Sequence, residues 1–525
     1  MRIIDGAVQP YALTVDKFLD HAAKWHGEAE VVTARPDGTI ARIGYAALRD
    51  RALKVSVILE QLGVGPGARV ATLAWNSQAH LEAWYAIVGL GAAYHTLNPR
   101  LTATQSADIL SQSDARILIC SADLAPLAAD MAAHTIIDHI LIIDGEADIG
   151  TSLEAAIAEV RTEATWRESE ETAAIGHCFT SGTTGTPKGV TYTHRSTFLH
   201  TLRVLQADMA AYTAQDSILT IVPMFHANAW GIPFAAPAVG ANLVFPGRQA
   251  DGARLTELIN SENVTVAAGV PTVFLGLLEH LEANGGELPS LKRIIVGGAS
   301  MSRALMTRIE NRLGVIAQPS WGMTEMSPTG TMTSYLDPDR DASIAGRPAV
   351  GVDLLLTDAE DRALPEQRGV EGRLKVKGGS VIERYMGQED SATDADGWFD
   401  TGDLARIDAK GNLAITGRSK DLIKSGGEWI NPAVIEAIIG VLPEVSLAAV
   451  IGRVDPKWGE RPILVVEMRE HETLSDEELL KPLQGRVASW WVPDAVVKIS
   501  KMPTASTGKV DKMNLRSLYG GPQNG

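Results

Sequence analysis

The sequence predicts an α/β fold in which a large layered N-terminal part leads into a β-rich stretch and a small α+β C-terminal part. Three observations carry this. At 525 residues the chain exceeds what one hydrophobic core organises, so two or more domains are expected. Hydrophobic residues at 45% and charged residues at 21% match ordinary globular proteins and exclude disorder or coiled coil for the bulk. Short β-rich runs alternate with helical patterns, as in sheets layered with helices.

Taken in order, the runs "RVATLAW" (69–75), "RILIC" (116–120), "HILIID" (139–144), "SILTIV" (217–222) and "RIIVGG" (293–298) read as strands. Thr102 with Gln105 forms a capping box that opens a helix between the first two. Near residue 350 the texture turns to strands and turns: "VDLLLTD", "RLKVKG" and "DGWFDTGDLARIDAKGNLAIT", the last bent at Lys410-Gly411-Asn412. An α+β portion follows, with Asn431 and Pro432 as helix cap and first-turn pair and Ser475 with Glu478 as a second capping box. The expected division is 1–417 and 418–525, with no internal repeat.

A net charge of −17 excludes broad nucleic-acid binding, which needs a basic face, but leaves room for a small anion held by local cations. Two cysteines, Cys120 and Cys178, form no framework and fit a reducing compartment as small buried residues. The start "MRIIDGAVQPYALT" lacks the apolar stretch of a signal peptide, and "AWYAIVGLGAAYHTL" is too short and glycine-broken to span a membrane. A cytoplasmic protein is expected.

The stretch "TSGTTGTPKG" (180–189) is poor in core-forming residues and rich in hydroxyls, glycine and one lysine, a composition suited to cradling phosphate. It is not a Walker A loop, because Pro187 stands where the second glycine is required. The β-branched "GVTYTH" that follows predicts a loop between two strands.

"SGTTGTPKG" resembles the phosphate-loop signature of the adenylate-forming (ANL) superfamily, which includes acyl-CoA synthetases. Four further stretches match that family in order: "WGMTE" (321–325), "FDTGDLARID" (399–408), "GRSKDLIKSGGEWI" (417–430) and "PTASTGKVDK" (503–512). The resemblance implies activation of a carboxylic acid with MgATP to acyl-AMP, then displacement of AMP by a thiol. It also implies a large N-terminal adenylate-forming domain and a small mobile C-terminal domain.

By this resemblance Thr180, Ser181, Gly182, Thr183, Thr184, Gly185, Thr186 and Lys188 cradle the phosphates, with Thr184 near the Mg²⁺ and Glu325 as its carboxylate ligand. Gly298, Ala299 and Ser300, together with Trp321, Gly322 and Met323, line the nucleotide, and Thr324 meets the α-phosphate. Asp403 takes the ribose hydroxyls, with Arg418 beside it. Standing alone, Asp403 after Gly402 would read as a turn residue. Lys509 is the lysine that reaches in for adenylation and leaves for the thiol step, and Lys420 is the hinge. Gly426, Gly427, Glu428 and Trp429 face the pantetheine of coenzyme A, with Gly459 of "WGERP" joining them.

"PMFHANAWGIPF" (223–234) resembles the acyl-pocket stretch, and it assigns His226, Ala227, Trp230, Trp321 and Met323 to the acid, with His226 also gating the path to the thiol. No carboxylate lies in it to pair with a substrate ammonium, which disfavours α-amino acids. The subfamily most like this chain is the medium-chain fatty acyl-CoA and methylmercaptopropionate-CoA ligases. Aryl or cinnamate acids, an acyl-AMP ligase serving a carrier protein, a luciferase-like monooxygenase and a non-catalytic nucleotide sensor stay open. Family members are often dimers, and no interface stands out here.

Overall fold

The computed structural model describes residues 6–162, 164–180, 187–426, 428–469, 472–504 and 509–521. Two large sheets form the N-terminal part. In the nine-stranded sheet the parallel strands Glu30–Ala34, Asn242–Phe245, Ser217–Thr220, Val266–Gly269, Arg293–Val296 and Ile316–Gly322 lie side by side in that order. Antiparallel strands close both edges, Ile40–Gly44 at one and Thr329–Met332 with Arg347–Pro348 at the other. The seven-stranded sheet runs Thr151–Ser152, His139–Ile143, Ile117–Ser121, Arg69–Leu73, Ala93–Thr96, Ala174–Phe179, all parallel, and ends on antiparallel Gly189–Thr193.

The five strands read from the first 300 residues are present, each trimmed at its carboxyl end by one or two residues except Ile117–Ser121, which is shifted by one. Their apolar runs are continuous because both faces are covered, as parallel sheets require. One core joins the two sheets: Val31 and Ile218 from the first pack in the same cluster as Val70 and Tyr94 from the second. The helix Gln78–Gly89 lies within that cluster, with Trp84 stacked on Tyr94 at 4.2 Å and within 6.0 Å of Phe234. Burial on all sides explains why "AWYAIVGLGAAYHTL" is so apolar. Among the described residues no helix is long and apolar enough to cross a membrane. Cys120 and Cys178 are both free and buried.

The β-rich stretch is a four-stranded antiparallel sheet of Val352–Thr357, Glu371–Gly378, Phe399–Ile407 and Leu413–Arg418. Gly411 makes the last turn with a φ of +86°, in the left-handed region that glycine enters without penalty. Beyond it the pairing partners change. Glu428–Ile430, Ile423–Ser425, Gly459–Met468 and Val445–Asp455 form a second antiparallel array, joined by parallel Ala495–Ile499 and backed by the helices Pro432–Ile439 and Lys512–Tyr519. All three expected helix starts hold: Thr102 and Ser475 make full capping boxes, and Asn431 accepts from the Ala433 N–H at 3.1 Å.

Candidate active site

The strand ends of the nine-stranded sheet, the edge of the seven-stranded sheet and the four-stranded sheet converge on one region. The phosphate-loop flanks come first. Ala174–Phe179 and Gly189–Thr193 pair antiparallel, as expected for a loop between strands, and the Thr180 N–H donates to the Lys188 carbonyl at 3.0 Å. Ser181, Gly182, Thr183, Thr184, Gly185 and Thr186 lie outside the described residues. Lys188 is exposed, and its Nζ stands 4.7 Å from the centre of the Tyr385 ring.

The "WGMTE" stretch ends the strand Ile316–Gly322, where the register shifts between Trp321 and Gly322, and passes into a short 3₁₀ turn Thr324–Met326. Tyr192 on the phosphate-loop hairpin donates to the Thr324 carbonyl at 2.9 Å, which ties the two motifs together. Glu325 is buried, and its Oε1 accepts from the Tyr385 hydroxyl at 3.0 Å. Burial pushes this carboxyl up; its own backbone N–H, the Tyr385 hydroxyl, Arg418 and Lys188 pull the other way. Among the described residues no three His, Cys, Asp or Glu side chains group as a metal cage. One buried carboxylate fits Mg²⁺ all the same, because that ion takes one or two protein oxygens and completes its shell with substrate phosphates and water.

Asp403 sits inside the strand Phe399–Ile407, not in a turn; the turn chemistry belongs to Gly402 with its φ of +70°. Arg418 is its register partner on the neighbouring strand. The Arg418 Nε donates to Asp403 Oδ1 at 2.9 Å, and the Trp321 indole N–H donates to Oδ2 at 2.9 Å. Asp403 is only 2% exposed, and desolvation raises its carboxyl against the pull of Arg418 and Trp321. Each oxygen keeps a free lone pair, so the clamped carboxylate can still accept from two vicinal hydroxyls. The Trp321 N–H is therefore committed to Asp403, a contact the sequence did not disclose.

Lys509 reaches the same region from the C-terminal part. A methyl group built on Gly298 would lie 3.9 Å from Lys509 Cε and 3.9 Å from the Trp230 ring. The residue as a whole keeps solvent exposure, but its ammonium is pushed down to about 8, first by desolvation and then by Arg418, with Asp403 opposing. Ala299 and Ser300 are exposed beyond Gly298. Gly297 joins them unexpectedly: a Cβ there would stand 2.6 Å from Ser320 Oγ and 3.1 Å from the Trp230 ring, closer than side chains ordinarily approach.

Trp230 owes its direction to local backbone. Ala227, Asn228, Ala229, Trp230 and Gly231 all have positive φ, from 46° to 74°, one left-handed turn. Non-glycine residues enter that region at roughly 1–2 kcal/mol each, a cost the surroundings must offset. The Asn228 side chain donates to the Tyr94 hydroxyl at 2.8 Å, and the Ala227 N–H to Cys178 Sγ at 3.2 Å. His226, at the start of the turn, has a pKa lowered to about 4 by burial, then by Lys509 and Arg100. It is neutral at pH 7. Met323 is half-buried against the main core, and Arg100, over the Phe225 ring at 5.9 Å, is a charged neighbour the motifs did not reveal.

Lys420 is exposed two residues after Arg418 in a short 3₁₀ turn, Ser419–Asp421, between the two sheets. The hairpin Ile423–Ser425 with Glu428–Ile430 carries Gly426, Glu428 and Trp429, while Gly427 lies outside the described residues. Gly426 donates to the Trp458 carbonyl at 2.8 Å, and Ser425 pairs with Gly459, so the predicted neighbours meet. Trp429 is 53% exposed and Trp458 45% exposed.

Comparison with known proteins agrees with this geometry. A family model described as AMP-binding enzyme matches residues 18–386, and one described as AMP-binding enzyme C-terminal domain matches 434–509. The chain belongs to the AMP-binding enzyme family. The 3-methylmercaptopropionyl-CoA ligase of Ruegeria pomeroyi is 39% identical, covering 98% of each chain. The medium-chain-fatty-acid–CoA ligase of Ectopseudomonas oleovorans is 37% identical over 98% of this AMP-binding enzyme and 97% of its own length. ATP-bound MatB from Rhodopseudomonas palustris, 27% identical, superimposes with a TM-score of 0.86 over 96% of this chain and 99% of its own. Apo MatB superimposes at 0.76 over the same shares. Lys509 beside Gly298 thus accompanies a better fit to the nucleotide-bound form.

Proposed function

We propose that this AMP-binding enzyme is an acid-thiol ligase that joins a medium-chain aliphatic or thioether-bearing carboxylic acid to coenzyme A. The observation that carries the reading is the meeting of Lys509 with Gly298, Asp403, Arg418 and Glu325 at the strand ends. In the first step a carboxylate oxygen attacks the α-phosphorus of ATP, the bond to the bridging oxygen breaks and pyrophosphate leaves. In the second, the thiol sulfur of coenzyme A attacks the acyl carbon, loses its proton, and AMP leaves.

The chain's own groups divide this work. Asp403, held by Trp321 and Arg418, orients the ribose. Lys188 and the preceding loop grip the β- and γ-phosphates, and Thr324 meets the α-phosphate. Lys509 bridges the attacking carboxylate and the α-phosphate, where a compact charge on a long stem meets oxygens that gain negative charge. Glu325, together with Thr184, would hold Mg²⁺, which would supply further neutralisation of the phosphate tail. Trp230 and Met323 border the acid, and neutral His226 adds no charge to an apolar acyl slot.

The thiol step needs Lys509 gone and the hairpin with Gly426 to Trp429 in its place. We place the boundary at 417/418 and the hinge at Lys420. Among the described residues, contacts across that boundary include Asn431 to the Thr416 carbonyl at 2.8 Å, the Arg418 to Asp403 pair, an exposed Arg469 to Glu279 pair at 3.4 Å and the approach of Lys509 to Gly298. Such an interface permits rotation of the small part. The names of the relatives, methylmercaptopropionate and medium-chain ligases, support the acid class.

AMP release is measured with butyrate, octanoate, cinnamate and 3-methylmercaptopropionate, with and without coenzyme A. The reading expects turnover that requires coenzyme A and favours octanoate or 3-methylmercaptopropionate. Preference for cinnamate would overturn the acid class, and AMP release indifferent to coenzyme A would overturn the thiol acceptor.

A further inference from the structure

We propose that Tyr385 is a positioning residue that sets the metal carboxylate and the phosphate-loop lysine against one another. No motif contains it. It stands in "ERYMG", between the second and third strands of the four-stranded sheet, yet it touches both halves of the phosphate machinery. Its hydroxyl donates to Glu325 Oε1 at 3.0 Å, and its ring lies 4.7 Å from Lys188 Nζ.

The segment that carries it is stitched at both ends to the residues it serves. The Ile382 N–H donates to the Glu325 carbonyl at 2.9 Å, and three residues after it the chain reaches Tyr385. The Met386 N–H then donates to the carbonyl of Gly189, the residue that follows Lys188, at 2.8 Å. A methyl group on Gly189 would stand 2.9 Å from Phe179 and 3.1 Å from Met386, so the segment packs directly on the hairpin. Upstream, Ser327 Oγ donates to the Ser380 carbonyl at 2.9 Å, and Arg203 donates to the Ser380 hydroxyl at 2.5 Å. Phe399 meets the Tyr385 ring edge-on at 6.5 Å. Two backbone bonds and a packed ring leave the phenol little freedom.

The two contacts have different consequences. Donation to Oε1 occupies one lone pair of Glu325 and fixes the carboxylate plane, which leaves Oε2 for a cation. The ring face attracts the Lys188 ammonium and holds it near the loop before phosphate arrives. Glu325 would hold Mg²⁺ while Lys188 meets the phosphates, so the two side chains need a set spacing, and Tyr385 touches both. This rests on the ATP-binding reading above.

The test is calorimetric binding of the α,β-methylene analogue of ATP to the full chain, across a Mg²⁺ titration. Tyr385→Phe keeps the ring and removes the hydroxyl; Tyr385→Leu removes both. With Phe, the Mg²⁺ concentration for half-maximal binding should rise about tenfold, as expected for losing a hydrogen bond to a charged group. Affinity without Mg²⁺ should stay as in the wild type. With Leu, affinity without Mg²⁺ should fall about threefold as well, from the lost cation–π contact. An unchanged Mg²⁺ requirement in Tyr385→Phe overturns the proposal, whether or not the Leu variant folds. If the wild type itself fails to bind the analogue, the nucleotide reading falls first and takes this inference with it.

Discussion

Replacing Trp321 by Phe removes one N–H and keeps an aromatic ring on the same strand. In the native site that N–H donates to Asp403 Oδ2 at 2.9 Å, on a carboxylate 2% exposed. A hydrogen bond to a charged group contributes about 1.5–3 kcal/mol, and water cannot easily replace it at that burial. Arg418 still holds Oδ1 at 2.9 Å, so the carboxylate keeps one anchor but loses its second and can rotate. The lower end of the range is therefore expected, about tenfold in KM for ATP. The KM for the acid should hardly change. The sharper assay compares ATP with 2′-deoxy-ATP, since a carboxylate that no longer meets both hydroxyls loses its preference between them. Unfolding temperature of the variant controls for packing against Gly330. A Trp321→Phe enzyme with unaltered KM for ATP and unaltered discrimination would refute the clamp.

Lys509→Ala should nearly abolish acyl-AMP formation while thiolysis of supplied acyl-AMP survives; equal loss of both halves would remove its assignment. In the wild type its pKa of about 8 lies below the ordinary 10.5, so the amine is charged at pH 7 and loses its proton as pH climbs. The kcat/KM of adenylation, which reports the free enzyme, should fall above about pH 8, and a profile flat to pH 10 contradicts this. Lys420→Pro should spare adenylation and impair thiolation, measured as separate half-reactions; an unaffected thiol step would refute the hinge. Buried His80 and His177 have pKa values lowered to about 4 and His95 to about 3, by desolvation. Their folded state binds fewer protons, so stability is full above about pH 6.5 and falls with pH towards 4. His80, fully buried, contributes about 3 kcal/mol of that loss. A denaturation midpoint in urea that holds constant from pH 7 to 5 would contradict the linkage.

Much of the site was readable because its chemistry is local. The order of hydroxyls, proline and lysine around Lys188, the capping boxes at Thr102 and Ser475 and the turn at Gly411 depend on neighbours a few residues away. Asp403 was singled out through its motif, yet its turn-like surroundings disguised a strand position, because the strand is defined by pairing with Arg418. Tyr385, Gly297 and Arg100 carried no signal at all. Each matters through partners that lie far along the chain: Glu325 and Lys188 for the first, Trp230 for the second, His226 for the third. The left-handed turn Ala227–Gly231 was equally hidden, since only one of its five residues is the glycine such a conformation ordinarily demands.

The amino-acid order by itself determined the layered α/β class, the strand-bounded phosphate loop and the family to which the chain belongs. The first two follow from periodicity and short-range stereochemistry, and the third from the resemblance of five ordered motifs, all of which every copy of the sequence carries whether folded or not. The tertiary structure alone decided that Trp321 anchors Asp403, that Tyr385 joins Glu325 to Lys188 and that Lys509 arrives beside Gly298. Those contacts join residues 60 to more than 200 positions apart, and only the shared core of the two large sheets and the docking of the small part bring such distant groups within bonding range.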